Sequence, residues 1–229
     1  MPGAWEYQEG GRQAADQLAG ALAVAGRSPD QLRSVLDFGC GAGRVLPHFA
    51  ARAPASDCVG CDVDQAAIGW AVKWRPAQRW LLSSFAPPLA LEADGFDLVY
   101  SISVFSHLDR AAQDQWVEEL ARVLAPGGVA LLSVHGAYAF EQFRTGQVTT
   151  RWCDPAAFAR ASLGRDEFVY IPYRRSFWNA AELPGVGRNY GLAFHGSEYV
   201  RASWGNELEV VEVLERALSD WQDVVVCVK

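Results

Sequence analysis

The sequence lacks the features that mark several large classes of protein. No apolar run approaches the roughly 18–20 residues that a membrane-crossing helix needs, so no such helix is expected. The opening stretch MPGAWEYQEGG has no basic segment followed by an apolar one, so no signal peptide is expected either. Together these point to a cytoplasmic protein without a membrane partner. Net charge is −7, no basic stripe is present, and Arg174-Arg175 is the only adjacent arginine pair, which argues against nucleic acid as a partner. The five cysteines (Cys40, Cys58, Cys61, Cys153 and Cys227) are odd in number and irregular in spacing, which argues against a disulfide framework. Cys58 and Cys61 form a C-x-x-C, but inside an apolar strand-like run with no second ligand pair nearby. Packing in a strand is the better reading, and no metal is expected.

What the chain does have is length and apolar content. Its 229 residues are half hydrophobic, enough for one full core, and 1–229 reads as a single domain. Ala14, Leu18, Ala21, Leu22 and Ala25 recur at helical spacing after Gly10-Gly11, giving an N-terminal helical cap within residues 1–30 that could bring Trp5 and Tyr7 to a ligand. Val35–Phe38 reads as a buried strand, followed by alternate glycines at 39, 41 and 43 and a helix to about Arg52. Further strands are expected at Cys58–Cys61, Arg79–Leu82, Phe96–Ser101 and Val129–Val134, with helices at Gln65–Trp74 and Ala111–Leu124 between them. In the second of these helices Trp116, Leu120, Val123 and Leu124 share a face opposite Glu118, Glu119 and Arg122. Ala125–Gly128 reads as a turn. Strands alternating with helices imply an α/β fold with a mostly parallel sheet covered on both faces, and a ligand beyond the carboxyl ends of the strands.

The alternation stops after His135. Residues 136–196 hold twelve of the 27 aromatic residues, so this stretch reads as an aromatic-rich insertion with its own structure rather than a loop. Short helices near Ala137–Phe143 and Asp154–Ala161, strands near Glu167–Ile171 and Tyr190–Phe194, and a helix capped by Ser197 are expected there and just beyond. Glu207–Leu214 and Gln222–Val228 then read as an antiparallel hairpin at the sheet edge.

The glycine run matches only the first two positions of the dinucleotide fingerprint G-x-G-x-x-G, because the third is Arg44, which disfavours a nicotinamide oxidoreductase. The stretch VLDFGCGAGR instead resembles the first motif of class I S-adenosylmethionine-dependent methyltransferases. Gly60–Asp64, Phe96–Ser101 and Leu124–Gly128 resemble that family's second-strand end, fourth strand and pre-fifth-strand turn, in order. The resemblance implies a Rossmann-like fold with a seven-stranded sheet and an antiparallel C-terminal hairpin. It also implies S-adenosyl-L-methionine as cofactor and residue roles within its site. Asp37, Gly39, Gly41 and Gly43 would line the methionine and ribose side. Asp62 would accept both ribose hydroxyls, which suits an acceptor-only carboxylate. Val63, Ser84 and Phe85 would surround adenine, and Ser101 would border the sulfonium. Asp64 is equally suited to capping the next helix.

Methyl transfer from a sulfonium is an in-line displacement, so the protein's task is alignment, exclusion of water and, for a hydroxyl acceptor, proton removal. His107, His135 and His195 are the candidate bases, since the first two follow strand ends and the third closes the insertion. His48 reads as a surface or packing residue. The [ND]-P-P-[YFW] signature of enzymes that methylate bases or glutamine is absent after the fourth strand, where the chain reads Ser101–Val104. A small-molecule acceptor is expected, methylated on oxygen, with nitrogen and carbon as alternatives, and Tyr138, Trp152, Tyr170, Tyr173, Trp178 and Tyr190 are candidate walls of its pocket. The alternative is a cofactor-binding module of the same fold that transfers nothing.

Overall fold

The computed structural model describes residues 4–174 and 190–229. Its framework is a sheet of seven strands in the order β3-β2-β1-β4-β5-β9-β8. These are β1 (Ser34–Phe38), β2 (Asp57–Asp62), β3 (Arg79–Leu82), β4 (Phe96–Ser101), β5 (Leu124–Val134), β8 (Glu209–Leu218) and β9 (Gln222–Val228). The first five pair in parallel; β9 runs antiparallel to both β5 and β8. The strand order reverses beside β1, so the carboxyl ends of β1, β2 and β4 surround the crevice where such sheets hold ligands.

The apolar runs explain the layering. Val35, Leu36, Leu98, Val99, Leu131 and Leu132 are fully buried because helices cover both sheet faces. Each such side chain stabilises the fold by about 1.5–3 kcal/mol relative to exposure. On one face lie α1 (Ala4–Val24) and α2 (Leu46–Ala50), packed over Val35, Leu98 and Leu131; on the other lie α4 (Arg110–Val123) and α7 (Ser197–Trp204). Helix α3 (Gln65–Trp74) is capped by Asp64, whose side chain accepts from the N–H groups of Ala66 and Ala67.

Several boundaries differ from the sequence reading for identifiable reasons. Helix α1 runs straight through Gly10-Gly11. Gly11 permits close approach to α2, since a Cβ there would lie 2.2 Å from the Arg44 carbonyl oxygen. Strand β5 starts at Leu124, because the Gly127 N–H and Gly128 carbonyl pair with Lys229 and extend the ladder through the turn residues. Ser197 is the first residue of α7 rather than its cap; Gly196 holds the cap position. Glu119 is not on a solvated face. It is buried, accepts the Leu89 N–H at 2.7 Å and pairs with Arg122, whose hydrogen bonds hold its carboxyl below the usual range.

Residues 136–174 and 190–196 build a smaller layer: α5 (Ala137–Arg144), α6 (Pro155–Arg160), and the antiparallel pair β6 (Phe168–Pro172) and β7 (Gly191–His195). Phe140, Phe143, Phe158 and Phe194 form its core. It docks on the main sheet where the Ala193 and His195 N–H groups reach the carbonyls of Ser106 and His135.

Candidate active site

After Phe38 the chain leaves the sheet through three glycines with φ between +54° and +80°, a region that side chains other than glycine rarely enter. The N–H groups of Gly39 and Cys40 donate to the Cys61 carbonyl at 2.9 and 3.0 Å, tying the loop to the end of β2. The next residue on β2 is Asp62. Its Oδ2 accepts the Gly41 N–H at 2.7 Å and its Oδ1 the Asp64 N–H at 2.8 Å. Two backbone donors thus fix this carboxylate beside the loop, with lone pairs to spare for ligand hydroxyls.

A groove crosses the carboxyl ends of the strands as two connected halves. One is a cleft of about 750 Å³ open to solvent, lined by Asp62, Val63, Ser83, Phe85, Trp116 and Tyr190 among others. The other, about 530 Å³, is lined by Tyr7, Asp37, Cys40, Arg44 and neighbouring loop residues. Gly39, Ile102 and Ser103 belong to both. The first half is mostly apolar with one carboxylate; the second is the more polar of the two, about evenly mixed.

Asp37 is the electrostatically unusual member. It is buried, and Tyr100 Oη donates to its Oδ2 at 2.9 Å. Burial pushes its carboxyl up to about 7; the Asp62 charge adds to the rise, while the Tyr100 hydrogen bond and Arg44 oppose it. A carboxyl poised in this way readily accepts a cation from a ligand.

The three histidines lie close together but do different work. His107 Nδ1 sits 3.0 Å from the Gly191 carbonyl oxygen and 2.9 Å from Tyr173 Oη. A carbonyl only accepts, so Nδ1 carries the proton and Nε2 keeps a free lone pair. Burial holds the His107 pKa below the ordinary imidazole value, so the ring is neutral near pH 7. Tyr190, in the cleft wall, stacks on this ring at 5.3 Å and 16°. His135 lies deeper, stacked on Phe194, and burial lowers its pKa to about 3. His195 Nε2 bonds Gln113 Oε1 at 2.9 Å, while the Gln113 amide donates to the carbonyls of Phe105 and Leu108. Its pKa too falls to about 3 through burial. None of the three lines either half of the groove: His135 and His195 join the insertion to the sheet, and Tyr190 stands between His107 and the cleft. His48, on α2, bonds Gln8 of α1 and lines neither half of the groove.

The remaining candidates divide similarly. Val63 and Phe85 line the cleft. Ser83 does so in place of Ser84, whose hydroxyl donates to the Ala86 carbonyl instead. Gly41 lines the polar half; Gly43 lines neither half and packs over Trp80. Ser101 is wholly buried with its hydroxyl unpaired, so the groove begins one residue later, at Ile102. Of the aromatic candidates, Tyr190 lines the cleft, and Tyr173 lies behind it against His107. Tyr170 packs behind them against Gly191. Tyr138 sits under the Arg216 guanidinium and Trp152 under that of Arg151, and neither lines the groove. Trp178 lies outside the described residues, and so does the side chain of Trp5. Sequence reasoning did not single out Arg44, Ile102, Ser103, Val104, Leu108 or Trp116 for the site. The only signal for Ile102–Val104 was their place just beyond a parallel strand, and Trp116 read as an ordinary core residue.

Known proteins match this arrangement. Residues 35–128 match the model of a family described as a methyltransferase domain. An uncharacterized protein of Rickettsia prowazekii is 28% identical over 109 residues, 46% of this chain and 44% of its own, so the match spans less than half of that curated relative. Among solved structures, DesVI of Streptomyces venezuelae superposes with a TM-score of 0.62 at 22% identity, covering 98% of this chain and 94% of that one. The 1,6-didemethyltoxoflavin-N1-methyltransferase of Burkholderia thailandensis, solved with 1,6-didemethyltoxoflavin and S-adenosylhomocysteine, superposes at 0.60 with 14% identity, covering 98% and 80%. At these identities the structural likenesses speak for the fold.

Proposed function

We propose, from the premise that residues 35–128 are a methyltransferase domain on the class I fold with S-adenosylmethionine as cofactor, that this protein methylates an uncharged small-molecule hydroxyl. The observation carrying the reading is His107, whose free Nε2 stands behind the Tyr190 wall of an apolar cleft continuous with the glycine loop.

The groove fits the cofactor. Asp37 and Asp62 form an acidic pair that suits a ligand bringing its own ammonium, sulfonium and ribose hydroxyls. In this reading Asp62 holds the ribose, Val63 and Phe85 enclose adenine, and Asp37 faces the ammonium, with Tyr7 and Arg44 beside the carboxylate. When bound, the cofactor supplies a methyl group on a good leaving sulfur. The chain's part is to align the acceptor along the cleft, exclude water with the aromatic layer of residues 136–174 and 190–196 acting as a lid, and take the hydroxyl proton on His107 Nε2. The Gly191 carbonyl and Tyr173 hydroxyl keep Nδ1 engaged and so orient that nitrogen. The likeness of fold does not choose the atom methylated, since the Burkholderia neighbour is named for N1; the reading of oxygen rests on His107 as a base for a hydroxyl.

His107→Gln is therefore expected to lower turnover by about 10²–10⁴-fold while leaving S-adenosylhomocysteine affinity within about twofold. Screening uncharged hydroxyl compounds for a one-methyl mass gain checks this. Unchanged turnover in the variant would remove His107 from the chemistry.

Asp37 gives a pH signature. Its folded pKa is about 7, above its ordinary value of 3.8, so the folded state holds this proton more tightly than the unfolded one. In the free protein the associated stability is present below about pH 4 and is lost as pH rises to about 7, on the order of 4 kcal/mol. An ammonium placed against Asp37 draws that proton off. S-adenosylhomocysteine affinity is thus expected to rise from pH 5.5 to 7.5, with up to about one proton released on binding. Calorimetry in two buffers of different ionisation heat measures the release; identical heats in both would place the ammonium elsewhere.

A further inference from the structure

The seam between the two halves of the groove is set from outside it. Ser103 lines both halves and has φ +60°, in the left-handed region. The other described non-glycine residues with positive φ (Asp94, Arg216, Ser219 and Asp220) line neither half. Such a conformation persists only where the surroundings over-determine it. Here two side chains do so. The Ser103 N–H donates to Ser133 Oγ on β5 at 2.8 Å, and Ser103 Oγ accepts from Gln222 Nε2 on β9 at 2.9 Å. Ser133 is 2% and Gln222 7% exposed, and neither lines the groove. The consequence falls on the next residue: Val104 lies directly over Gly39, its Cγ2 only 2.2 Å from where a Cβ would stand. Strands β5 and β9 thereby fix how Ser103 and Val104 meet the glycine loop.

We propose that Ser133 and Gln222 are positioning residues of the cofactor site, acting through the left-handed conformation they impose on Ser103. The proposal rests on the reading that this groove holds S-adenosylmethionine. If Ser133 loses its hydroxyl, the Ser103 N–H loses its acceptor and the residue relaxes toward negative φ, carrying Val104 off Gly39. Displacements of this size near a reacting centre are costly. Glycine at 103 would adopt the same φ without strain and so would not need the clamp.

The test is calorimetric titration with S-adenosylhomocysteine of the wild type, Ser133→Ala, Gln222→Leu and each variant combined with Ser103→Gly, with melting temperatures recorded alongside. Ser133→Ala is expected to weaken binding about tenfold and Gln222→Leu about fivefold, with Ser103→Gly restoring each to within about threefold of wild type. Recovery of binding by a substitution that adds no contact is what a merely structural role would not give. Should Ser133→Ala fail to fold, the Gln222 pair carries the same test. Wild-type affinity in the folded single variants, or double variants as weak as the singles, would overturn the proposal. Absence of binding to the wild type would instead overturn the cofactor assignment on which it rests.

Discussion

Replacing Asp62 with alanine is expected to abolish the thermal stabilisation that S-adenosylhomocysteine confers. The carboxylate has two tasks at one place. It holds the Gly41 N–H and so shapes the loop, and it offers its remaining lone pairs to two vicinal hydroxyls. Hydrogen bonds to a charged group contribute about 1.5–3 kcal/mol each, so losing two costs roughly 3–6 kcal/mol of binding, more than a hundredfold in affinity. A ligand at 100 times its Kd stabilises by about 2.7 kcal/mol, and a hundredfold weaker Kd removes most of that. Asp62→Asn sharpens the test, because an amide presents a donor where the loop also presents one and keeps only one accepting oxygen. It should bind, but weakly. Asp62 is only half-buried at the end of β2, so the unliganded alanine variant is expected to melt within a few degrees of wild type. An undiminished ligand shift in Asp62→Ala would show that the ribose lies elsewhere.

The second large effect concerns stability. Gly43 has φ +73°, and a Cβ there would lie 2.4 Å from Trp80 Cη2 and 3.0 Å from two further atoms of the same ring. Trp80 cannot easily give way, because it is buried and its Nε1 donates to the Arg75 carbonyl at 2.8 Å. Gly43→Ala therefore combines a left-handed strain of about 1–2 kcal/mol with overpacking of about 1–3 kcal/mol. A loss of about 2–5 kcal/mol is expected, some 5–15 °C in Tm for a chain of this size. Adding Trp80→Phe removes the outer ring that the new methyl meets and is expected to recover part of the loss. Unchanged melting in Gly43→Ala would mean that the loop and β3 are not packed in this way.

These two residues also show what was legible in the sequence. Asp62 was legible through the resemblance of Gly60–Asp64 to the second-strand end of class I methyltransferases, where an acidic residue closes a short apolar strand. Gly43 was visible as part of the alternate-glycine spacing, but its reason was not. The spacing suggested backbone approach to a ligand, whereas the structure gives it to the Trp80 ring, a contact made only when β3 is laid beside β2. The parallel sheet and closing hairpin were readable because they are written as local period and punctuation. The insertion's layer was readable only as aromatic enrichment, since which rings face the cleft depends on how β6 and β7 dock. His107, His135 and His195 looked alike in sequence. Burial and ring contacts separate them: His135 and His195 sit inside the joint, and His107 stacks on Tyr190 just behind the cleft wall. Ser103 carried no sequence signal, because its left-handed backbone is imposed by residues 30 and 119 positions away.

The most direct test of the central claim is titration of the wild-type protein with S-adenosylhomocysteine. One site per chain is expected, with a Kd of about 1–100 μM, in the usual range for enzyme ligands, and a matching rise in melting temperature. No heat and no change in melting with S-adenosylhomocysteine, together with saturable binding of NADH, would contradict it.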